Sequence, residues 1–336
     1  MSRERAFTLR RGLLGAAAVA ALAPLLPMAR PAGRKRIVLM GFAAMFEGPA
    51  GLEGVVKALA ERGIADGRQV EYVRVAIPAV AEEERGRGFA YLVPKIEELV
   101  LPRKPDIIVT VGTIMTKGAS LATREIPIVG SVADPVDVGV ARSLARPGMN
   151  VTGVANGAVE VAIKTVEFTK SLVPRATRVA VFHEGRQMAA RFAGHYERAA
   201  RSMGLEPVMV ASIDPAEMLR EIRALPARRV QAGLWTWAAG EAPEVAREAL
   251  AARVPMICAD ESFAEAGLLA SYSVVQQPVP PRLAAAVEQI LRGADPGTIP
   301  FQYPQEFRLV INRRTANALK LTVPPDLLVR ADRVIG

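Results

Sequence analysis

IPIVGSVADPVDVGVARSLARPGMNVTGV, residues 126–154, is the stretch whose reading decides the fold. Ile128 to Val132 is a short apolar run held between Pro127 and Asp134-Pro135, the form of a buried parallel strand that ends in a turn. Arg146-Pro147-Gly148 is a turn or linker signal, and Val151 to Val154 begins a second apolar run. The stretch reads as the crossing from one α/β lobe to another, because strand and helix patterns alternate on both sides of it.

Upstream, Ile37 to Met40, Val70 to Ile77 and Asp106 to Val111 read as strands, with helical periodicity over Leu52 to Arg62, near Pro94 to Val100, and from Gly112-Thr113 to about Thr123. Glu82 to Gly88 reads as a charged surface loop. Downstream, strands are expected at Val179 to Phe182, Pro207 to Ala211, Gln231 to Leu234, Pro255 to Ala259 and Leu268 to Tyr272. Helices fall between them, one opening at Asp214-Pro215 with Asp214 as N-cap and Pro215 in the first turn. Crossovers of this length predict two parallel sheets covered by helices. A helix over Arg282 to Leu291, a Pro-rich passage from Pro296 to Pro304 and a strand over Phe307 to Ile311 then suggest that the chain re-crosses between lobes.

A chain of 336 residues exceeds what one core usually supports. Hydrophobic residues at 51% and charged residues at 23% fit an ordinary α/β protein. The formal charge of +9 raises the question of nucleic acid, yet aromatics are only 5% and the basic residues are scattered on helical faces. No basic stripe interleaved with stacking aromatics exists, so no nucleic-acid partner is expected. Cys258 is the single cysteine, which excludes an intramolecular disulfide and a cysteine metal site. Residues 1–32 carry Arg3, Arg5, Arg10 and Arg11, then an Ala/Leu-rich run from Leu13 to Leu26. This resembles an export signal, twin-arginine-like at Arg10-Arg11 or general secretory. The run is shorter than the ~20 residues needed to span a bilayer.

Several stretches resemble one family in the right order along the mature chain: Ile126-Pro127-Ile128-Val129 with Asp134-Pro135-Val136, Ser143 to Gly148 with Asn150 to Gly153, Leu172-Val173-Pro174 with Arg178 to Val181, Ala266-Gly267-Leu268 with Ser271-Tyr272, and Phe307 to Asn312 through Thr322 to Pro325 and Arg330-Ala331-Asp332. The family is the periplasmic substrate-binding proteins of ABC transporters, in the branch with tryptophan-binding and related lipophilic amino-acid-binding members. The resemblance implies a type I periplasmic-binding architecture, two doubly wound parallel-sheet α/β lobes joined by three crossovers. The lobes would comprise residues 34–148 with 274–299, and 149–272 with 303–336. The crossings are then expected near Gly148 to Thr152, Ser271 to Val275 and Thr298 to Pro304. It also implies a periplasmic monomer without a cofactor, which captures a small carboxylate-bearing ligand (an amino acid or an aromatic acid) by hinge closure and delivers it to an inner-membrane ABC permease. A ligand-sensing module that docks on a membrane receptor is the alternative on the same fold.

Ligands of such sheets sit beyond the carboxyl ends of the strands. That rule selects Phe42, Phe46, Thr113 and Asp134 in the first lobe, Trp235 and Asp260 in the second, and Tyr272 at a crossing. Thr113 opens a helix, where backbone N–H groups and the helix dipole favour a carboxylate, or is a plain cap. Asp134 either receives a ligand ammonium or caps the turn at Pro135. Asp260 supplies a further carboxylate or starts a helix. Trp235 and Trp237 alternate about Thr236, so one of them is expected to face the cleft, with Phe42, Phe46 and Tyr272 completing an aromatic lining. Two loops depart from the family pattern: His183-Glu184-Gly185 stands where members often carry Asn-Pro, and Trp235-Thr236-Trp237 where they carry an acidic or small loop. No catalytic signature is found: G-x-S-x-G, the P-loop and H-E-x-x-H are all missing. With only two histidines, no metal site is expected, and the chain does not read as an enzyme. A sugar-modifying or racemising enzyme with two similar lobes is a weaker rival.

Overall fold

Short runs of branched apolar residues set the two sheets. The computed structural model describes residues 33–48, 50–78, 88–185, 187–236, 240–275 and 277–336. The export-signal reading of residues 1–32, most of the charged loop at Glu82 to Gly88, and Trp237 lie outside them.

The first sheet has the order β2-β1-β3-β4-β5 with every pair parallel. Its strands are β1 (Lys35–Gly41), β2 (Val70–Ala76), β3 (Ile107–Thr110), β4 (Ile128–Val132) and β5 (Val151–Ala155). Connecting helices are α1 (Leu52–Glu61), α2 (Leu92–Leu99) and α3 (Thr113–Ala122). Alternation within β1 divides the core. Ile37 and Leu39 pack with Leu52, Val55 and Leu59 of α1 on one face, and Val38 and Met40 with Leu92, Ile96 and Met115 on the other. A sheet buried on both faces needs such near-continuous apolar strands, and each fully buried Val, Ile or Leu contributes about 1.5–3 kcal/mol.

The second sheet has the order β12-β11-β10-β9-β8-β6-β7. It contains β6 (Arg178–His183), β7 (Glu206–Ala211), β8 (Ala232–Trp235), β9 (Met256–Cys258), β10 (Ala270–Val274), β11 (Phe307–Asn312) and β12 (Arg333–Ile335), parallel except for the antiparallel β10–β11 pair. The helices are α4 (Ala158–Leu172), α5 (Gln187–Ser202), α6 (Pro215–Ala224), α7 (Ala242–Ala251), α8 (Glu261–Ala266), α9 (Val279–Leu291), α10 (Arg313–Ala318) and α11 (Pro325–Arg330). Residues of α4 and α5 cover the face bearing Val179, Val181 and Leu234; those of α6 and α7 cover the face bearing Ala180, Phe182 and Trp235. Asp214 caps α6 as its sequence predicts, accepting the Ala216 N–H at 2.9 Å. Pro207 sits on β7, an edge strand, where a missing N–H is tolerated.

The first crossing lies later than the expected 148–152, which moves the lobe boundary. Val151–Ala155 pairs in register with Ile128–Val132 and is the edge strand of the first sheet. The pairing requires glycine at 153, where φ is +142° and a Cβ would stand 2.0 Å from the Gly130 carbonyl oxygen; a Cβ on Gly130 would instead stand 2.4 Å from Thr116 Oγ1. Arg146-Pro147-Gly148 is a turn within the first lobe, Gly148 donating its N–H to the Gly297 carbonyl at 2.9 Å. The chain crosses next, at Asn156-Gly157, where Gly157 has φ +77° and the Asn156 side chain accepts the Ala158 N–H. It returns after Val274, and α9 packs Leu283, Ala284 and Val287 against the first-lobe core beside α1. The third crossing follows Gln302, which bridges to Val154 before the chain enters β11. Arg34–Gly336 forms one compact unit.

Candidate functional site

Two adjoining cavities open beyond the carboxyl ends of the strands. The larger, about 670 Å³, is walled by the second lobe, from Phe192 and Tyr196 of α5 through Trp235 and Thr236 to Asp260 and Phe263. The smaller, about 220 Å³, reaches into the first lobe between Gly112-Thr113 and Ser131 to Ala133. Asn156, Val274 and Val275 line both, so the crossings form a shared floor.

The first-lobe end is fixed by two hydrogen bonds between neighbouring strand ends. Gly112, at φ +88°, donates its N–H to Ser131 Oγ at 2.8 Å, and Thr113 Oγ1 accepts the Ala133 N–H at 3.0 Å. Beneath them Thr110 and Thr116 join hydroxyls at 2.8 Å inside the core. The N-terminus of α3 therefore points at the smaller cavity from a braced frame. Half-buried Arg282 of α9 lines the same cavity. Its Nε donates to Gln302 Oε1 at 3.1 Å, while Gln302 Nε2 donates to the Arg282 carbonyl at 3.0 Å. Burial pulls the Arg282 guanidinium below the ordinary arginine range.

The second-lobe end carries the aromatic side chains. Trp235 is 2% exposed, its ring 5.1 Å from Phe182 and 6.2 Å from Phe263. Its indole Nε1 has no hydrogen-bond partner among the described residues. Cys258 is buried and donates to the Asp260 carbonyl at 2.9 Å; burial pushes its thiol up to about 12, so it is protonated and inert.

Of the residues predicted from sequence, Trp235 and Asp260 share the larger cavity and Thr113 lines the smaller. The other four stand elsewhere. Phe42 packs against the Val38–Met40 side of the first core, and Phe46 against the Leu52–Val55 side. Asp134 Oδ1 accepts the N–H groups of Val136 and Asp137 at 2.9 and 2.8 Å, capping the turn that Pro135 begins, and the residue lines neither cavity. Tyr272 is not on the cleft floor. Its ring stacks flat on Phe307 at 5.6 Å and meets Phe168 at 5.2 Å, while Ser273, Val274 and Val275 line the cleft. Asp260 accepts both the N–H and the hydroxyl of Ser262, which makes it the N-cap of α8. Sequence reasoning missed Arg282, Asn156 and the α5 aromatics Phe192 and Tyr196. An Asn-Gly step between a strand and a helix was a usable signal for Asn156. Arg282 carries no local signal.

Beside the cleft, Asp137 of the first lobe faces three cations or potential cations on α5. Its carboxylate lies 3.0 Å from Arg191 Nε, 3.9 Å from His195 Nε2 and 3.6 Å from Arg198. Arg198 also donates to His195 Nδ1 at 2.7 Å, which leaves the ring proton on Nε2, toward Asp137. Among the described residues no group of His, Cys, Asp and Glu could hold a metal ion, and no helix is long and apolar enough to cross a membrane.

Residues 41–335 match the family of ABC transporter substrate-binding proteins. The chain belongs to that family. Its members bind small-molecule ligands outside the cytoplasm and work with ABC permeases, and the family is not one of enzymes. This substrate-binding protein is 24% identical over 274 residues to a tyrosine-binding protein of Clostridioides difficile, covering 80% of this chain and 76% of the relative. A crystal structure of an ABC domain in complex with L-Trp from Streptococcus pneumonia superposes with a TM-score of 0.61 at 22% identity, over 90% of this chain and 100% of the other. The ligand-free, open structure of a substrate-binding protein with adhesive properties from Clostridium difficile gives 0.57 at 22%, over 90% and 99%. These superpositions establish the type I periplasmic-binding fold.

Proposed function

We propose that this protein is the solute-binding component of an ABC importer, capturing a small carboxylate-bearing ligand between its lobes by hinge closure. The observation that carries the reading is the cleft itself, in which a first-lobe cavity holding Thr113, Ser131 and Arg282 meets a second-lobe cavity walled by Phe192, Trp235 and Phe263 over a floor made of crossing residues. A few residues at crossings absorb the rotation of hinged domains. The braced N-terminus of α3 suits a carboxylate and the Trp235–Phe263 wall suits a flat apolar group. The named ligands of the relatives, tyrosine and L-Trp, are of this size and type. The protein works as a periplasmic monomer, exported through residues 1–32, and hands its ligand to an inner-membrane permease. Calorimetric titration of the purified protein with aromatic amino acids and aromatic carboxylic acids tests the reading. Binding of at least one with single-site stoichiometry is expected; no heat and no thermal shift with any of them rejects it.

A further inference from the structure

We propose that Arg282 receives the ligand's carboxylate and that the cleft selects a carboxylic acid with no α-ammonium group, an aryl-acetate or aryl-propionate rather than the parent amino acid. The inference rests on the reading of the cleft as a carboxylate-ligand site.

Arg282 stands half-buried in the wall of the smaller cavity with one guanidinium edge held by Gln302. Among the described residues no carboxylate is paired with it, although the other arginine that lines the cleft has an acidic partner, Arg308 with Glu261 at 3.1 Å. Burial lowers the Arg282 guanidinium from its ordinary range. A cation withdrawn from water without a counter-charge is costly unless an anion completes the site. The same cavity supplies further groups that suit an anion. Ser131 and Thr113 line it, and the first-turn N–H groups of α3 have no intrahelical acceptor.

The same cavity offers an ammonium no carboxylate. In an α-amino acid the ammonium lies two bonds from the carboxylate carbon, so it shares the pocket that holds the carboxylate. No acid lines that pocket. The two acids on the larger cavity are committed elsewhere: Asp260 caps α8 through Ser262, and Glu261 lies 3.1 Å from Arg308 and 3.0 Å from Arg333. Asp134, the sequence's own candidate for an ammonium, caps its turn outside both cavities. An amino acid would thus set an unpaired ammonium beside Arg282, and like charges in contact discriminate against that ligand. The apolar remainder of an aromatic acid extends toward Phe192, Trp235 and Phe263 in the larger cavity.

The test is calorimetric titration of the purified protein with four probes: indole-3-propionate against L-tryptophan, and 3-(4-hydroxyphenyl)propionate against L-tyrosine. The acid of at least one pair should bind tenfold or more tighter than its amino acid. Arg282→Gln should weaken that acid tenfold or more and weaken indole-3-propionamide by a clearly smaller factor, and Arg282→Lys should recover part of the loss. The neutral amide and the lysine variant separate a lost charge from a damaged fold. Amino acids that bind as tightly as the acids overturn the selectivity while leaving the solute-binding reading intact. An Arg282→Gln protein that keeps its acid affinity overturns the assignment of Arg282. Failure of all four probes removes the underlying reading and this inference with it.

Discussion

Thr113→Val exchanges one hydroxyl for a methyl where α3 meets the end of β4. In the native protein Thr113 Oγ1 accepts the Ala133 N–H at 3.0 Å, with Thr113 8% and Ala133 5% exposed. Valine keeps the shape but leaves that N–H buried without an acceptor, at a cost of about 1–3 kcal/mol. Thr113→Ser does the reverse: it keeps the acceptor and drops one buried methyl, worth about 0.8 kcal/mol. The two physical arguments rank the variants in opposite order. If the hydrogen bond frames the cleft, valine is the worse substitution; if apolar packing does, serine is. Urea unfolding followed by the fluorescence of buried Trp235 measures both, with an unchanged dependence on denaturant confirming that the folded state is intact. The expected order of midpoints is wild type, then Thr113→Ser, then Thr113→Val. A valine variant as stable as the serine variant refutes the reasoning.

Gly153→Ala should cost about 1–3 kcal/mol of backbone strain at φ +142° and more again for the overlap with the Gly130 carbonyl. Gly293→Ala, at φ +98° with open space around it, carries strain alone, so equal losses in urea midpoint for the two would remove the argument for close strand approach. Cys258, its thiol pushed up to about 12 in the core, should resist iodoacetamide at pH 8 in the native protein and react fully in guanidinium; native labelling at the rate of a free thiol contradicts its burial. His195 is held below the ordinary 6.5, first by burial, with the Asp137 carboxylate pulling the other way and Arg198 adding to the lowering. The unfolded chain therefore takes up the proton first. The stability that this histidine contributes is complete above pH 6.5 and is lost as pH falls toward its folded value. His195→Gln should flatten the stability curve below pH 6.5, and a variant curve as steep as the wild type's counts against this account.

The strands were legible because apolar runs such as Ile128 to Val132 and Val179 to Phe182 are short and stand between Pro, Gly, Asp or Arg. Helix starts were legible where a cap carries its own chemistry, as at Asp214-Pro215. The turn at Arg146-Pro147-Gly148 misled, since a Pro-Gly signal marks a reversal of the chain without telling whether it leaves the sheet. What keeps β5 on the first sheet is its ladder with Ile128–Val132, which the missing side chain of Gly153 permits at close approach to Gly130. Tyr272 shows a related limit. Period-two alternation puts Tyr272 and Val274 on one face, and only the packing of Phe168 and Phe307 on the Tyr272 ring sets it apart from the cleft-lining Val274. Phe42 and Phe46 follow a strand end, but their rings turn back into the first core.

The amino-acid sequence by itself determined the order of strands and helices, the two-lobed α/β class and the loops from which a cleft is built, because these follow from apolar spacing and turn chemistry within a few residues. Only the tertiary structure decided which side chains enter the cleft and which acids are already committed to caps. The setting of Arg282 beside Thr113 and Ser131 depends on α9 crossing back to dock on the first lobe, a long-range packing event to which no local pattern responds.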